Sequence, residues 1–140
     1  MERTFAIVKP DGVQGGILGK VLTRIEEEGF QVRGLRMIRM TREEAEGFYS
    51  VHRGRPFFEG LTTYMSSGPS VVMVLERDGA IGRWRTVMGA TDPAKAEPGT
   101  LREMFGTSIE RNTVHGSDAL DTATVEIAYF FRDVDLLPAR

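Results

Sequence analysis

Covalent chemistry has few places to start in this chain. Its 140 residues contain no cysteine and only two histidines, His52 and His115. That composition excludes disulfides, cysteine metal sites, a thiol nucleophile and a multi-histidine metal centre. His115 is the sharper of the two. It stands in Asn112-Thr113-Val114-His115-Gly116-Ser117-Asp118, between an expected strand end and an expected helix start. Gly116 there permits close approach of backbone to a ligand, and a helix N-terminus offers free N–H groups and a positive dipole end, both suited to an anion. Glu126, on the flank of that helix, could orient one ring nitrogen and leave the other free to attack. On residue types alone, a structural hydrogen-bonding histidine beside a helix cap reads at least as well. His52, in an Arg-rich helix end, reads as a surface residue.

The cations point toward phosphate or carboxylate oxygens. Of 18 Lys and Arg, only Lys9, Lys20 and Lys95 are lysine, and the arginine fork matches such oxygens two at a time. Surface ion pairs or plain composition would account for them too. A net charge of −2 argues against a protein that lives by neutralising nucleic-acid phosphates. Gly15-Gly16-Ile17-Leu18-Gly19-Lys20 resembles a phosphate-binding loop, but Gln14 and Val21 stand where such a loop needs Gly and Ser or Thr. These glycines read as a turn feeding a helix.

The elements that must position these residues follow from periodicity. Thr4 to Val8 is an apolar strand running into a turn at Lys9-Pro10-Asp11-Gly12. Ile17, Val21 and Ile25, with Leu18 and Leu22, make one helical stripe that ends at Gly29. Val32 to Met40 reads as a strand. Thr41 with Glu44 forms a capping box that opens a helix carrying Ala45, Phe48 and Tyr49. Pro56 suits the first turn of a helix through Phe57, Leu61, Tyr64 and Met65, stopped by Ser67-Gly68-Pro69. Ser70 to Leu75 is a buried central strand, and Ile81, Trp84 and Met88 mark a helix ended by Gly89. Ala90 to Thr100 is a long loop of the kind that is usually functional. Asn112 to His115 is a short last strand; Ser117 caps a final helix with the stripe Leu120, Ala123, Ile127 and Phe131. This order fits a single α+β domain spanning residues 1–140, a ferredoxin-like split β-α-β sandwich. Its four-stranded antiparallel sheet carries helices on one face, with an extra helical hairpin inserted.

Six blocks sharpen the reading: Lys9-Pro10-Asp11, Arg55-Pro56-Phe57-Phe58, Ser67-Gly68-Pro69, Gly89-Ala90-Thr91-Asp92-Pro93, Pro98-Gly99-Thr100-Leu101-Arg102 and Asn112 to Asp118. In this order and spacing the chain resembles nucleoside diphosphate kinases over essentially its whole length. The resemblance implies a ping-pong transfer, in which a nucleoside triphosphate, mainly ATP, gives its γ-phosphate to a histidine and the phosphohistidine gives it to a nucleoside diphosphate. His115 matches the family's nucleophile, attacking through Nδ1. Glu126 matches the carboxylate that holds the ring, supported by Ser117, with Tyr49 beside the histidine. Lys9 and Asn112 match the residues that bond the sugar hydroxyls, Lys9 also reaching the phosphate end. Arg85, Thr91 and Arg102 match phosphate ligands. Phe57 matches the aromatic on which the base stacks, and Ile109 sits where the family places an apolar residue on the opposite face. Mg²⁺ is the implied cofactor, carried mainly by nucleotide phosphates and by no protein cage.

Two departures stand out. Ala90 replaces a carboxylate common in eukaryotic members, and Val51 stands where many members have one near the site. The chain also stops short of the eukaryotic tail, which leaves a homo-oligomer expected with a tetramer favoured and a hexamer as the alternative. A cytoplasmic place is expected, since Met1-Glu2-Arg3-Thr4 lacks a signal-peptide pattern and no apolar run approaches a membrane span. Two other functional classes compete with this reading. A ferredoxin-like frame also serves RNA-recognition domains, but no strand carries their aromatic signature, so nucleic acid is not expected as the primary ligand. An inactive scaffold would lack some residue the transfer needs, and all are present.

Overall fold

The protein is described here over residues 1–138 of a computed structural model. Four strands form one antiparallel sheet: β1 (Glu2–Val8), β2 (Gln31–Ile38), β3 (Ser70–Arg77) and β4 (Val114–Gly116), in the order β2-β3-β1-β4. The helices are α1 (Pro10–Gln14), α2 (Leu18–Glu27), α3 (Arg42–Phe48), α4 (Phe58–Met65), α5 (Ala80–Met88), α6 (Leu101–Phe105) and α7 (Leu120–Phe130). The α+β ferredoxin-like arrangement holds, with α3 and α4 as the inserted hairpin.

Helices cover both faces of the sheet, not one. The central strands leave no choice, because Thr4–Val8 and Ser70–Glu76 are buried at every position. Alternate residues therefore need apolar cover on opposite sides. On one face Ala6, Val8, Val71, Met73 and Leu75 pack with Val21 and Ile25 of α2 and Trp84 and Val87 of α5. On the other, Phe5, Ile7, Val72 and Val74 pack with Ala45, Tyr64, Met65 and Phe130 from α3, α4 and α7.

Several local expectations change. Lys9–Gly12 is not a bare turn: Pro10 opens α1, where its missing N–H is no loss. Leu101–Phe105 is a helix where periodicity showed none, and Thr100 Oγ1 caps it by accepting from Glu103 N at 3.4 Å. Ser117 does not cap the final helix. α7 starts at Leu120, and the orphan N–H of Ala119 donates to Thr122 Oγ1 at 3.0 Å. Leu120 is 65% exposed, so the buried stripe begins at Ala123. Gly29 does end α2 with φ +83°, and the Thr41–Glu44 capping box is formed in both directions, at 2.8 and 3.0 Å.

Candidate active site

β4 delivers His115 by pairing with β1, where Ile7 faces it in register. Trp84 Nε1 donates to the His115 carbonyl at 3.2 Å. Gly116 is needed for this wall: a Cβ there would sit 2.5 Å from Trp84 Cδ1. The imidazole lies edge-on to Phe48 and Tyr49, with ring centroids 5.5 and 6.3 Å away. Its Nε2 is 2.8 Å from Glu126 Oε1, and Ser117 Oγ donates to the same oxygen at 3.0 Å. A carboxylate only accepts, so the bridging proton belongs to Nε2 and the neutral ring keeps its lone pair on Nδ1.

His115 lines a cleft of about 1220 Å³ together with Lys9, Tyr49, Phe57, Arg85, Thr91, Arg102, Ile109 and Asn112. Nine of the eleven residues singled out by sequence are therefore on one wall or another of one cavity. The remaining two, Glu126 and Ser117, stand behind His115. Phe57 and Ile109 are 50% and 62% exposed, apolar surface left open at the cleft.

The cations are held under tension. Lys9 is buried at 6% exposure, and its Nζ donates to Asn112 Oδ1 at 2.9 Å. Burial first, then the Arg102 charge, pushes its pKa down to about 8, with Asp11 and Glu110 opposing. Asn112 Nδ2 donates to Thr91 O at 3.0 Å, which ties the long loop to the strand end. Arg102 gives Nη1 to Gly89 O and Nη2 to Val114 O, at 3.0 and 2.9 Å. Burial, then Arg85, lowers its pKa to about 10. Arg85 is more open and meets Asp118 Oδ1 at 3.4 Å. Arg102 Nε and Tyr49 Oη are buried and find no partner among the described residues. Burial, with the Glu126 charge added, pushes the Tyr49 phenol far up, so it remains a neutral donor. Three cations and two free donors around one imidazole form a site for a polyanion that can be attacked by nitrogen.

The family profile of nucleoside diphosphate kinase matches residues 2–136. The chain belongs to the nucleoside diphosphate kinase family. It is a phosphotransferase, and its reaction moves a phosphoryl group between nucleotides. The kinase of Desulfosudis oleivorans is 61% identical over 98% of this chain and 99% of its own length. That of Desulfotalea psychrophila is 58% identical over 98% of this chain and 100% of its own. Among solved structures, the Aquifex aeolicus kinase superposes with TM-score 0.95 at 46% identity, covering 97% of this chain and 99% of that one. The Halobacterium salinarum kinase, in complex with CDP, does so with TM-score 0.96 at 42% identity, covering 99% and 93%.

Sequence reasoning misplaced one wall residue of this kinase. His52 is no plain surface residue: it lines the cleft, 5.2 Å from the Phe57 ring and 6.4 Å from Tyr49. Its neighbours on the short 3₁₀ turn Ser50–His52 hid this, since a three-residue element has no period to read. Leu61 and Asp118 also line the cleft.

Proposed function

We propose that the transfer runs in two displacements through a phosphohistidine on His115. The Nδ1 lone pair attacks the γ-phosphorus of a nucleoside triphosphate. An N–P bond forms, the bond to the β-bridging oxygen breaks, and the diphosphate leaves with that electron pair. A β-phosphate oxygen of a second diphosphate then attacks the same phosphorus and the N–P bond breaks. The observation that carries this reading is the 2.8 Å bond from His115 Nε2 to Glu126, which leaves Nδ1 unprotonated in a cleft with three cations. Such transfer needs positioning and charge stabilisation above all.

In this reading Glu126 and Ser117 hold the ring, and Tyr49 donates to phosphate. Arg85, Arg102 and Thr91 grip the phosphate chain. Lys9 and Asn112 take the sugar hydroxyls, Lys9 reaching on to phosphate. Phe57 and Ile109 hold the base between apolar surfaces, a form of recognition that every base satisfies. Mg²⁺, if carried in with the nucleotide, would supply positive charge against the phosphates, beside Lys9, Arg85 and Arg102. Among the described residues no three His, Cys, Asp or Glu side chains gather as a metal site. We place the protein in the cytoplasm, where nucleotide pools are interconverted, and in a homo-oligomer, with the tetramer favoured over the hexamer.

The test is direct. The protein mixed with GTP, ADP and Mg²⁺ is expected to make ATP. Radiolabel from γ-labelled ATP is expected to stay on the chain in base and leave in acid. Label recovered on a serine, or turnover kept by His115→Ala, overturns the mechanism.

A further inference from the structure

One buried residue between Asn112 and His115 breaks a backbone rule. Thr113 has φ +75°, the one positive φ outside glycine among the described residues, and it is 0% exposed. A β-branched side chain is ill suited to that region. Val114 N donates to Asn112 O at 2.8 Å, so the three residues form a tight three-residue turn centred on Thr113. The turn reverses the chain between the Asn112 amide, which faces Lys9, and the strand that carries His115.

Something must hold a turn that the backbone disfavours. Two bonds reach it from α1 and the residue before it. Lys9 N donates to Thr113 O at 2.8 Å, and Thr113 Oγ1 donates to Asp11 Oδ2 at 3.3 Å. Asp11 is itself fixed. Its other oxygen accepts from Tyr64 Oη, while Tyr64 Oη accepts from Asp11 N at 2.8 Å. The Arg111 guanidinium lies over the Tyr64 ring, 4.9 Å from its centroid. The Thr113 methyl packs beside Gly12, where a Cβ would come within 3.3 Å of it. Apart from Lys9, none of these residues is given a nucleotide contact above, yet together they join α4, α1 and the turn.

We propose that the Thr113 hydroxyl, through Asp11 and Tyr64, is a positioning device that sets the Lys9–Asn112 pair against the sugar of the nucleotide. The inference rests on the sugar-binding role given to that pair above. Thr113 touches no substrate; it acts by fixing the two side chains that do. Without its bond to Asp11 the turn keeps its fold but loses one of the two ties that orient Asn112 and Lys9. A nucleotide with sugar hydroxyls should register that loss. One without them should register it less, through the phosphate reach of Lys9 alone.

The experiment compares ADP with 2′,3′-dideoxyadenosine diphosphate as phosphate acceptors. Thr113→Val keeps the shape and the β-branch and removes the donor. It is expected to lower kcat/KM for ADP about three- to fivefold, the effect of one modest hydrogen bond, mainly through KM. On the dideoxy acceptor it is expected to change less than twofold. Thr113→Ser, which restores a hydroxyl, is expected to recover the ADP value. Tyr64→Phe, which frees Asp11 from the far side, is expected to show the same selectivity for the sugar and carries the comparison should Thr113→Val not fold. Equal losses on both acceptors, or no loss on ADP, overturn the positioning role while the wild type still prefers ADP. A wild type that treats both acceptors alike overturns the sugar contacts and this inference together.

Discussion

Lys9 shows what the fold asks of a single residue. Its pKa stands at about 8 in the folded chain, below the ~10.4 of an exposed lysine. The unfolded chain therefore binds more protons between those values, and stability rises with pH across that window. Below about pH 8 both states are charged and the full cost of burying the ammonium is present. Nucleotide phosphate reverses the balance by favouring the charged form. Binding of ADP is expected to take up a fraction of a proton near pH 8.5 and to weaken as pH climbs further. Calorimetry in two buffers of different ionisation enthalpy reads that uptake; equal heats in both buffers would remove Lys9 from the phosphate site. The two arginines differ in the same spirit. Arg102 spends two nitrogens on the carbonyls of Gly89 and Val114, whereas Arg85 is half exposed. Arg102→Lys is expected to lower stability by about 2–3 kcal/mol, several degrees in Tm, along with kcat/KM. Arg85→Lys is expected to lower kcat/KM alone. Thermal melts beside steady-state kinetics separate them, and a Tm unchanged by Arg102→Lys overturns its structural share. Sequence legibility divides along this line. Residue type and helix position offer His115 and Glu126 as a pair, and the family resemblance is what lifts that pair above a structural histidine. The carbonyl bonds of Arg102 and the position of His52 depend on loops far apart in sequence closing on each other, and no local pattern carries that.

At the scale of elements, the start of α4 divides two neighbouring rings. Phe57 is the N-cap residue and stays 50% exposed against His52. Phe58 begins the helix and packs partly into the cluster of Phe5, Ile7 and Tyr64. Their side chains leave the backbone about 100° apart, so one faces the cleft and the other the core. Phe57→Ala is expected to weaken ATP, GTP, CTP and UTP together, by the ~1–3 kcal/mol of a lost stacking surface, with little change in Tm. Phe58→Ala is expected to cost about 2–3 kcal/mol of stability, less than a fully buried ring, with KM nearly unchanged. KM for the four nucleotides and a melt of each variant decide it; a large melting shift from Phe57→Ala rejects the stacking role. Elements with a clear period were readable before any coordinates, among them α2, α5 and the strand through Ser70–Leu75. α6 was not, since five residues cannot show a helical period, although Thr100 and Glu103 repeat the cap spacing of Thr41 and Glu44. The cover on both faces was also written in the chain. Unbroken apolar runs at Phe5–Val8 and Val71–Leu75 cannot belong to a sheet with one wet side.

For the whole molecule, the unfinished surface lies at the sheet edge. β2 is an outer strand, and its Leu35 and Met37 are 48% and 59% exposed, two apolar side chains on the same side of the strand. The C-terminal segment runs beside it: Leu137 N donates to Arg33 O at 3.0 Å, and Val134 and Leu137 remain 81% and 62% exposed. An edge strand that shows apolar side chains is a surface for pairing with another chain unless it is covered. Here the neighbouring segment adds apolar area at Val134 and Leu137, beside the exposed charges of Arg132, Asp133 and Asp135. The homo-oligomer proposed above would use this edge, since a two-fold contact places the same patch of each copy on both sides. Light scattering is expected to report several times the chain mass, a tetramer favoured. Leu35→Glu with Met37→Glu puts four carboxylates into each two-fold contact, where like charges must lose water to approach. That variant is expected to shift the mass to a smaller species and to lower Tm, since the separated chain returns its apolar edge to water. His115 lies on β4, Arg85 on α5, Arg102 on α6, Glu126 on α7 and Lys9 at the end of β1, none of them on the β2 edge strand, so the smaller species is expected to keep its phosphorylation by ATP. Wild-type protein that runs at the mass of one chain, or a double variant that keeps the full assembly, would move the contact to another face.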